Sequence, residues 1–281
     1  MTMGNSDHIG AVAVAPQWRR FRFPASLIRY GVVLGVFLLL GYSIEYLEIP
    51  LERLFPMFGK IGHLVTDRYY PADIDYILDA TYLGSVVDTI QMAYLSALFG
   101  LLISVPLGWF ASYNMTPHRR FVYPLARLVT MLGRAVHEMI WTILFVSILG
   151  FGMLPGVLAL TVFCTGFAAK LFAEEIEAID MGPVEAIKAT GASLFQVFVY
   201  GVIPQVRVAF TGIAIYTWDV AFRAATVVGF FGAGGMGWYL KRNVQQIETE
   251  RVAAILLSIV VLVLLSEVVS AWARAKVAKS K

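Results

Sequence analysis

Residues 185–191 read Glu185-Ala186-Ile187-Lys188-Ala189-Thr190-Gly191, and the chain runs on from them to Ile203-Pro204. The pattern predicts a short polar helix set between two long apolar runs. Pro183, just after Gly182, suits the first helical position, where its missing N–H costs nothing. Glu185 then falls in the first turn and Lys188 in the second, each on the side the helix dipole favours. Gly191 is a natural stop, because glycine takes the left-handed conformation that ends helices. Ser193 is placed to cap a second short helix, and Pro204 opens the next apolar run. Taken alone, this stretch fits an ordinary well-capped surface helix. Its surroundings make it more specific.

Those surroundings are apolar. Of the 281 residues, 59% are hydrophobic, and the mean hydropathy is +0.73. Charged residues make up 15%, against about 25% in soluble domains. A water-soluble protein of this composition would precipitate, so the bilayer is the expected solvent. The net charge of +3 is modest, and its distribution carries more than its size. A nucleic-acid binder would carry a basic stripe with exposed aromatic residues, and the sequence has none. The single cysteine, Cys164, sits in an apolar run and reads as packing. His8, His63, His118 and His137 are scattered and have no metal-ligand spacing.

Apolar runs divide the chain. Residues 1–27 read as a tail ending in a basic anchor, Trp18-Arg19-Arg20-Phe21-Arg22. A first span is expected at 28–48. It is long for a signal peptide and no small-x-small cleavage site follows it, so it is expected to be retained. An amphipathic external connection follows at 49–80, with Tyr69-Tyr70-Pro71-Ala72-Asp73 as a turn. A five-helix core then occupies 81–275 and a basic tail 276–281. Within the core, spans are expected at 83–110, 136–152, 157–177, 204–222 and 251–273. The third is preceded from Phe121 by a tilted or partly interfacial stretch, because residues 121–149 are too long for one straight span of about 20. The segment 178–203 loops between the fourth and fifth spans. Six spans place both termini on one side. Arg19, Arg20, Arg22, Arg119, Arg120, Arg274, Lys276, Lys279 and Lys281 all fall there, which marks that side as cytoplasmic. The 178–203 loop shares it. Lys241, Arg242 and Arg251 on the opposite side weaken the rule without reversing it.

Charges inside a membrane are costly unless paired or hydrated, so each is a candidate for function. Arg134 and Glu138, Asp219 and Arg223, and Lys170 and Glu174 are each four apart, which places each pair on one helix face. One reading is three satisfied pairs that hold helices together. The other is a polar path in which arginines offer forked donors to an oxyanion. Trp218, Trp238 and Tyr239 lie near it and read first as interfacial belt residues. Gly232-Ala233-Gly234-Gly235-Met236-Gly237 matches the glycine pattern of dinucleotide sites, but no βαβ unit surrounds it. Gly232, Gly234, Gly235 and Gly237 instead predict a bend that lines a cavity. There is no phosphate-binding loop of the G-x-x-x-x-G-K-[ST] type, so nucleotide energy must reach the chain through a partner.

Set between spans, Glu185, Ala186, Gly191 and Pro204 stand at the spacing of a signature loop: Glu-Ala-Ala, three residues, Gly, nine residues, Ile-x-Leu-Pro. Ile187, Gly201 and Ile203 are small or apolar departures from it. The pattern resembles the coupling loop of ABC-importer permeases. Further stretches are Arg134-Ala135 with Glu138-Met139, Lys170-Leu171, Glu177-Ala178-Ile179, Tyr200 to Gln205 and Arg223 to Gly229. With Gly232 to Gly237 and the Pro71-Ala72-Asp73 turn, they are similar to the phosphonate permeases of that superfamily. The likeness runs over about residues 70–275 and is strongest from 130 to 240.

The resemblance implies an all-α membrane protein with six transmembrane helices, a methionine-permease-like core of type I importer fold and a cytoplasmic coupling helix. It also implies a bacterial inner-membrane location, a second permease copy, two cytoplasmic ATPases carrying Mg-ATP and an external binding protein. The chain itself would need no cofactor. Glu185, Ala186, Lys188, Gly191 and Pro204 would meet the ATPase, and Arg134, Glu138, Asp219 and Arg223 are candidates for the pathway. The expected cargo is phosphonate or a related phosphorus oxyanion. Phosphite, phosphate, methionine or an osmoprotectant are the alternatives within the same fold. A membrane enzyme would need a metal-binding carboxylate cluster or a nucleophile–base pair. The one acidic cluster, Glu174, Glu175 and Glu177, lies beside the coupling loop. An ion channel or a sensor is a further class.

Overall fold

The structure is a computed structural model and describes residues 24–47 and 51–278. The anchor Trp18 to Arg22 and the tail lysines Lys279 and Lys281 lie outside these residues. Among the described residues all regular structure is helical. The chain divides into two compact units, Met1–Gly62 and His63–Lys281.

In the first unit, α1 (Ala25–Tyr46) is apolar on every side, and its large side chains, among them Leu34, Phe37 and Leu40, are exposed. Its 22 residues span about 33 Å, enough to cross a hydrocarbon core of about 30 Å. Helix α2 (Leu51–Leu64) follows and continues into a π-helical turn at Val65–Tyr69.

The second unit takes in residues 63–78, which lie within the expected external connection. Asp73 caps the short α3 (Ile74–Leu78) by accepting from the Tyr76 amide at 3.2 Å. It also pairs with Arg251 at 3.3 Å. Asp79 caps α4 (Ala80–Phe110) by accepting from the Thr81 amide at 3.0 Å. Hydrogen bonds from Thr81 hold the Asp79 carboxyl below its ordinary value. Then come α5 (Val122–Ala135), α6 (Glu138–Leu149) and α7 (Met153–Glu177). Two short helices follow, α8 (Met181–Ala189) and α9 (Leu194–Val197). The unit closes with α10 (Ile203–Val228), α11 (Gly235–Gln246) and α12 (Thr249–Ala278).

Helix α7 is the axis of this unit, and small residues let its neighbours come close. Along α4, Ser96, Gly100, Ser104 and Gly108 recur every fourth residue and are buried. A Cβ on Gly108 would stand 2.8 Å from the Cβ of Phe172 on α7. A Cβ on Gly166 of α7 would stand 2.9 Å from Gly133 of α5. Between apolar helices in lipid, such close backbone approach supplies the van der Waals contact that hydrophobic burial does not. Ser96 donates to the Val157 carbonyl at 3.3 Å across the same seam.

The helices correct the expected third span. Residues 136–152 do not form one helix. α5 ends at Ala135, Val136 and His137 are extended, and α6 leaves at 90° to α5. Its 12 residues cover about 18 Å, too short to cross alone. Among the described residues, five helical runs are long and apolar enough to span a membrane, or six if the bent α5–α6 pair counts as one. The fifth expected span also changes. Helix α10 runs on past residue 222 to Val228. At its start it is continuous with α9 through a π-helical turn at Phe198–Val202. Pro204 accounts for that turn: it has no N–H to give to residue 200, and its ring would clash with that carbonyl in a regular helix.

Candidate functional site

Helix α8 stands on an apolar foundation. Val184 is fully buried and Ile187 partly so, packed with Ile176, Val197, Phe198, Val202 and Val206. Each fully buried aliphatic side chain contributes roughly 1.5–3 kcal/mol relative to exposure. Trp109 of α4 stacks on Phe198 at 4.6 Å and donates its indole N–H to the Met115 carbonyl at 3.0 Å. Burial of that face turns the other outward. Glu185, Ala186, Lys188 and Gly191 are all exposed. The structure places Glu185, Ala186 and Lys188 on α8 and Gly191 two residues beyond its end. Pro204 is exposed too, but on α10, at the base of the loop.

The ends of α8 differ in part from expectation. Asp180, not the residue before Pro183, is the cap, accepting from the Gly182 amide at 3.0 Å. The helix therefore starts at Met181, Pro183 is its third residue, and Glu185 falls beyond the first turn. Lys188 is in the last turn, where the dipole favours a cation. Gly191 has φ +80°, the left-handed stop predicted for it. Ser193 caps α9 in a reciprocal box with Gln196. Ile187, Thr190, Gly191, Ala192, Gln196 and Tyr200 line an open recess of about 490 Å³ where α8 turns into α9.

Three residues that are not among the docking candidates tie this element down. Gln205 bonds both ways with the Asp180 backbone, accepting from its amide at 3.1 Å and donating to its carbonyl at 3.2 Å. It also donates to the Gly201 carbonyl at 2.7 Å, in the π-helical turn. Asn114 donates to the Ile176 carbonyl at 2.7 Å, and Glu177 binds Arg127 at 2.6 Å and the Tyr113 amide at 2.8 Å. The loop carrying Arg119 and Arg120 is thereby held at the same end of α7 as α8. The signal for Gln205 was its place directly after Pro204.

The charged candidates separate. Asp219 and Arg223 pair at 2.9 Å, and Lys170 and Glu174 pair at 3.1 Å, as their spacing predicts. Asp219 is buried, with Oδ2 bound to Arg223 and Oδ1 without a hydrogen-bond partner among the described residues. Arg134 and Glu138 do not pair, and this corrects the expectation. The break at residues 136–137 puts them on separate helices, and Glu138 lies 3.4 Å from His137 instead. Arg134 faces a recess of about 310 Å³ with Arg127, Thr130 and Lys170.

The glycine-rich stretch does bend, and it divides by role. Gly229–Phe231 is a 3-10 turn, and Gly232 and Gly234 have φ +107° and +82°. Gly234 and Gly235, with Ser85, Asp88, Trp238 and Tyr239, line a recess of about 390 Å³. Gly232 and Gly237 do not line it. A Cβ on Gly232 would meet Phe151, and one on Gly237 would come within 2.6 Å of the Phe230 amide. Trp218 packs on Phe222, 5.7 Å between ring centres, against the core.

Residues 104–279 match the family described as binding-protein-dependent transport system inner membrane component. The chain is 40% identical over 240 residues to the phosphite transport system permease protein PtxC of Stutzerimonas stutzeri, covering 85% of each. It is 31% identical over 255 residues to the phosphate-import permease protein PhnE of Mycolicibacterium smegmatis, covering 91% of this chain and 46% of that one. Among solved structures, the MetNI methionine ABC transporter in inward-facing conformations has a chain that superposes with a TM-score of 0.59. Identity there is 21%, over 70% of this chain and 95% of the other, and the likeness is one of fold.

Proposed function

The chain belongs to the family of binding-protein-dependent transport system inner membrane components, and from that premise we propose that it carries phosphonate or a related phosphorus oxyanion across the inner membrane. It is a multi-pass permease subunit of an ABC importer. The observation that carries the substrate class is the identity of 40% with a phosphite permease, spread over 85% of both chains. The structural neighbour of similar fold that handles methionine is far more distant in sequence, at 21%.

The rest of the machine follows from chemistry this chain lacks. It has no phosphate-binding loop for ATP, so a cytoplasmic ATPase holding Mg-ATP drives it. Glu185, Ala186, Lys188 and Gly191 form the face that the ATPase grips, and the apolar foundation under Val184 passes its movement to α4, α7 and α10. Two permease copies and two ATPases make the full importer, and an external binding protein delivers the anion. Ligand and nucleotide favour different global states, and transport is the alternation between them. Arg223, half exposed beside its buried partner, belongs to the pathway.

The test is uptake by the reconstituted importer with its ATPase and binding protein. Labelled phosphite or methylphosphonate accumulates with ATP, and unlabelled phosphonate competes. Competition by methionine or glycine betaine in place of the phosphorus oxyanions would overturn the substrate assignment.

A further inference from the structure

The recess between α5 and α7 gathers three cations. Arg127 and Arg134 come from α5 and Lys170 from α7, around a volume of about 310 Å³. Two are already partnered: Arg127 by Glu177 at 2.6 Å and Lys170 by Glu174 at 3.1 Å. Neither carboxylate lines the recess. No carboxylate among the described residues lies within ion-pair distance of Arg134, so the cluster keeps one uncompensated positive charge. Arg127 Nε is buried and also has no hydrogen-bond partner among the described residues. Thr130 adds no donor, since its hydroxyl is bound to the Arg127 carbonyl at 2.8 Å.

The place is held rigidly. Gly133 and Gly166 pack so closely that a Cβ on Gly166 would stand 3.0 Å from the Arg134 amide nitrogen. That fixes the Arg134 backbone against the middle of α7. Lys170 lies one turn further on, and Glu177 marks the end of α7 next to α8. The seven helical steps from Lys170 to Glu177 rise about 10 Å. The recess therefore lies between mid-helix and the α8 end. An uncompensated cation within a span needs a partner or water. Forked guanidinium donors match the paired oxygens of a phosphoryl group, as they match those of a carboxylate, and the functional reading above favours the phosphoryl group.

We propose that Arg127, Arg134 and Lys170 form a binding site for a phosphorus oxyanion on the α8 half of the permease. The inference deepens the functional reading above and rests on it for the identity of the anion. The same oxygens are presented by a free phosphite, phosphonate or phosphate and by the headgroup of an acidic phospholipid, and the two sources are separable.

The full importer is placed in phosphatidylcholine nanodiscs without binding protein or nucleotide, and binding of radiolabelled phosphate and methylphosphonate is measured by equilibrium dialysis. In parallel, nanodiscs containing phosphatidylglycerol are analysed by native mass spectrometry for lipid retained on the permease. The variants are Arg134→Gln, Arg134→Lys and Lys170→Gln/Glu174→Gln, each checked for assembly by co-purification of the ATPase. If the free anion is the occupant, phosphate binding weakens about tenfold in Arg134→Gln and less in Arg134→Lys, because charge survives there without the fork. If the headgroup is the occupant, wild type retains phosphatidylglycerol, Arg134→Gln releases it, and phosphate does not bind. Phosphate binding and lipid retention that are both unchanged in assembled Arg134→Gln and Lys170→Gln/Glu174→Gln importers overturn the site. An importer that moves methionine and no phosphorus oxyanion overturns the functional reading instead. The anion site is then judged on the binding measurement alone.

Discussion

Asp219 is the one ionisable carboxylate buried among the described residues, with 3% of its side chain exposed, while 49% of its partner Arg223 is exposed. A buried charge is tolerated because it is paired, and removing one partner costs more than the pair is worth. Arg223→Ala therefore confounds two effects, lost transport and a stranded carboxylate. Asp219→Asn/Arg223→Gln removes both charges and keeps the shapes. We expect about a tenfold loss of uptake in both variants if the guanidinium meets the cargo, with the double variant close to wild type in thermal stability and both retaining the ATPase. Normal uptake by the double variant would make Arg223 a structural ion-pair partner and nothing more. This pair was legible because i, i+4 spacing on a continuous helix fixes a shared face. The same rule failed for Arg134 and Glu138, because it assumes the helix continues. Neither Pro nor Gly marks Ala135-Val136-His137. The local signal there is weak: His137 caps α6, its ring nitrogen accepting from the Met139 amide at 3.4 Å, and histidine is not among the residues that ordinarily mark a helix start.

At the scale of the element, α8 is a small helix whose position is set by others. Nine residues are too few for a stable isolated helix. What holds it is the burial of Val184 and the clamp of Gln205 on Asp180, and these leave the face with Glu185 and Lys188 free to be gripped. Glu185→Arg reverses the charge on that face, and Gly191→Asp puts a side chain where φ is +80°. Such a backbone costs a non-glycine residue about 1 kcal/mol or more. Both variants should insert into the membrane at wild-type levels and fail to co-purify the ATPase. Full recovery of the ATPase on either variant would remove α8 as the docking element. The stop of this helix was legible, since Gly191 and Ser193 act through local backbone chemistry. Its start was misread by two residues, because Pro183 drew attention from Asp180, whose carboxylate does the capping. The Ser96-Gly100-Ser104-Gly108 seam of α4 is equally plain in the letters. It takes on meaning only beside α7, the partner that fills it.

Over the whole molecule, the second unit has two polar ends joined by a middle of small, tightly packed residues. One end carries α8, the Arg127–Glu177 pair and the loop with Arg119 and Arg120. The other carries the glycine turn at 232–234, α11 and the Asp73–Arg251 pair. Between them run α4, α10 and α12, of 31, 26 and 30 residues, each about 39 Å or longer, more than the hydrocarbon thickness of about 30 Å. The composition made the bilayer legible, and the positive residues lead us to expect the α8 end in the cytoplasm, since basic loops stay there. That assignment has a direct consequence for reactivity. Lys188 and Glu248 lie at opposite ends, and Cys164, the one native thiol, is fully buried and should stay silent to an impermeant maleimide. In intact cells the reagent should label Glu248→Cys and spare Lys188→Cys, and in inverted vesicles the order should reverse. A movement relayed from a cytoplasmic ATPase requires the second result as much as the first. Labelling of Lys188→Cys from outside intact cells would put α8 beyond reach of any nucleotide-driven partner, however well its surface were shaped to receive one.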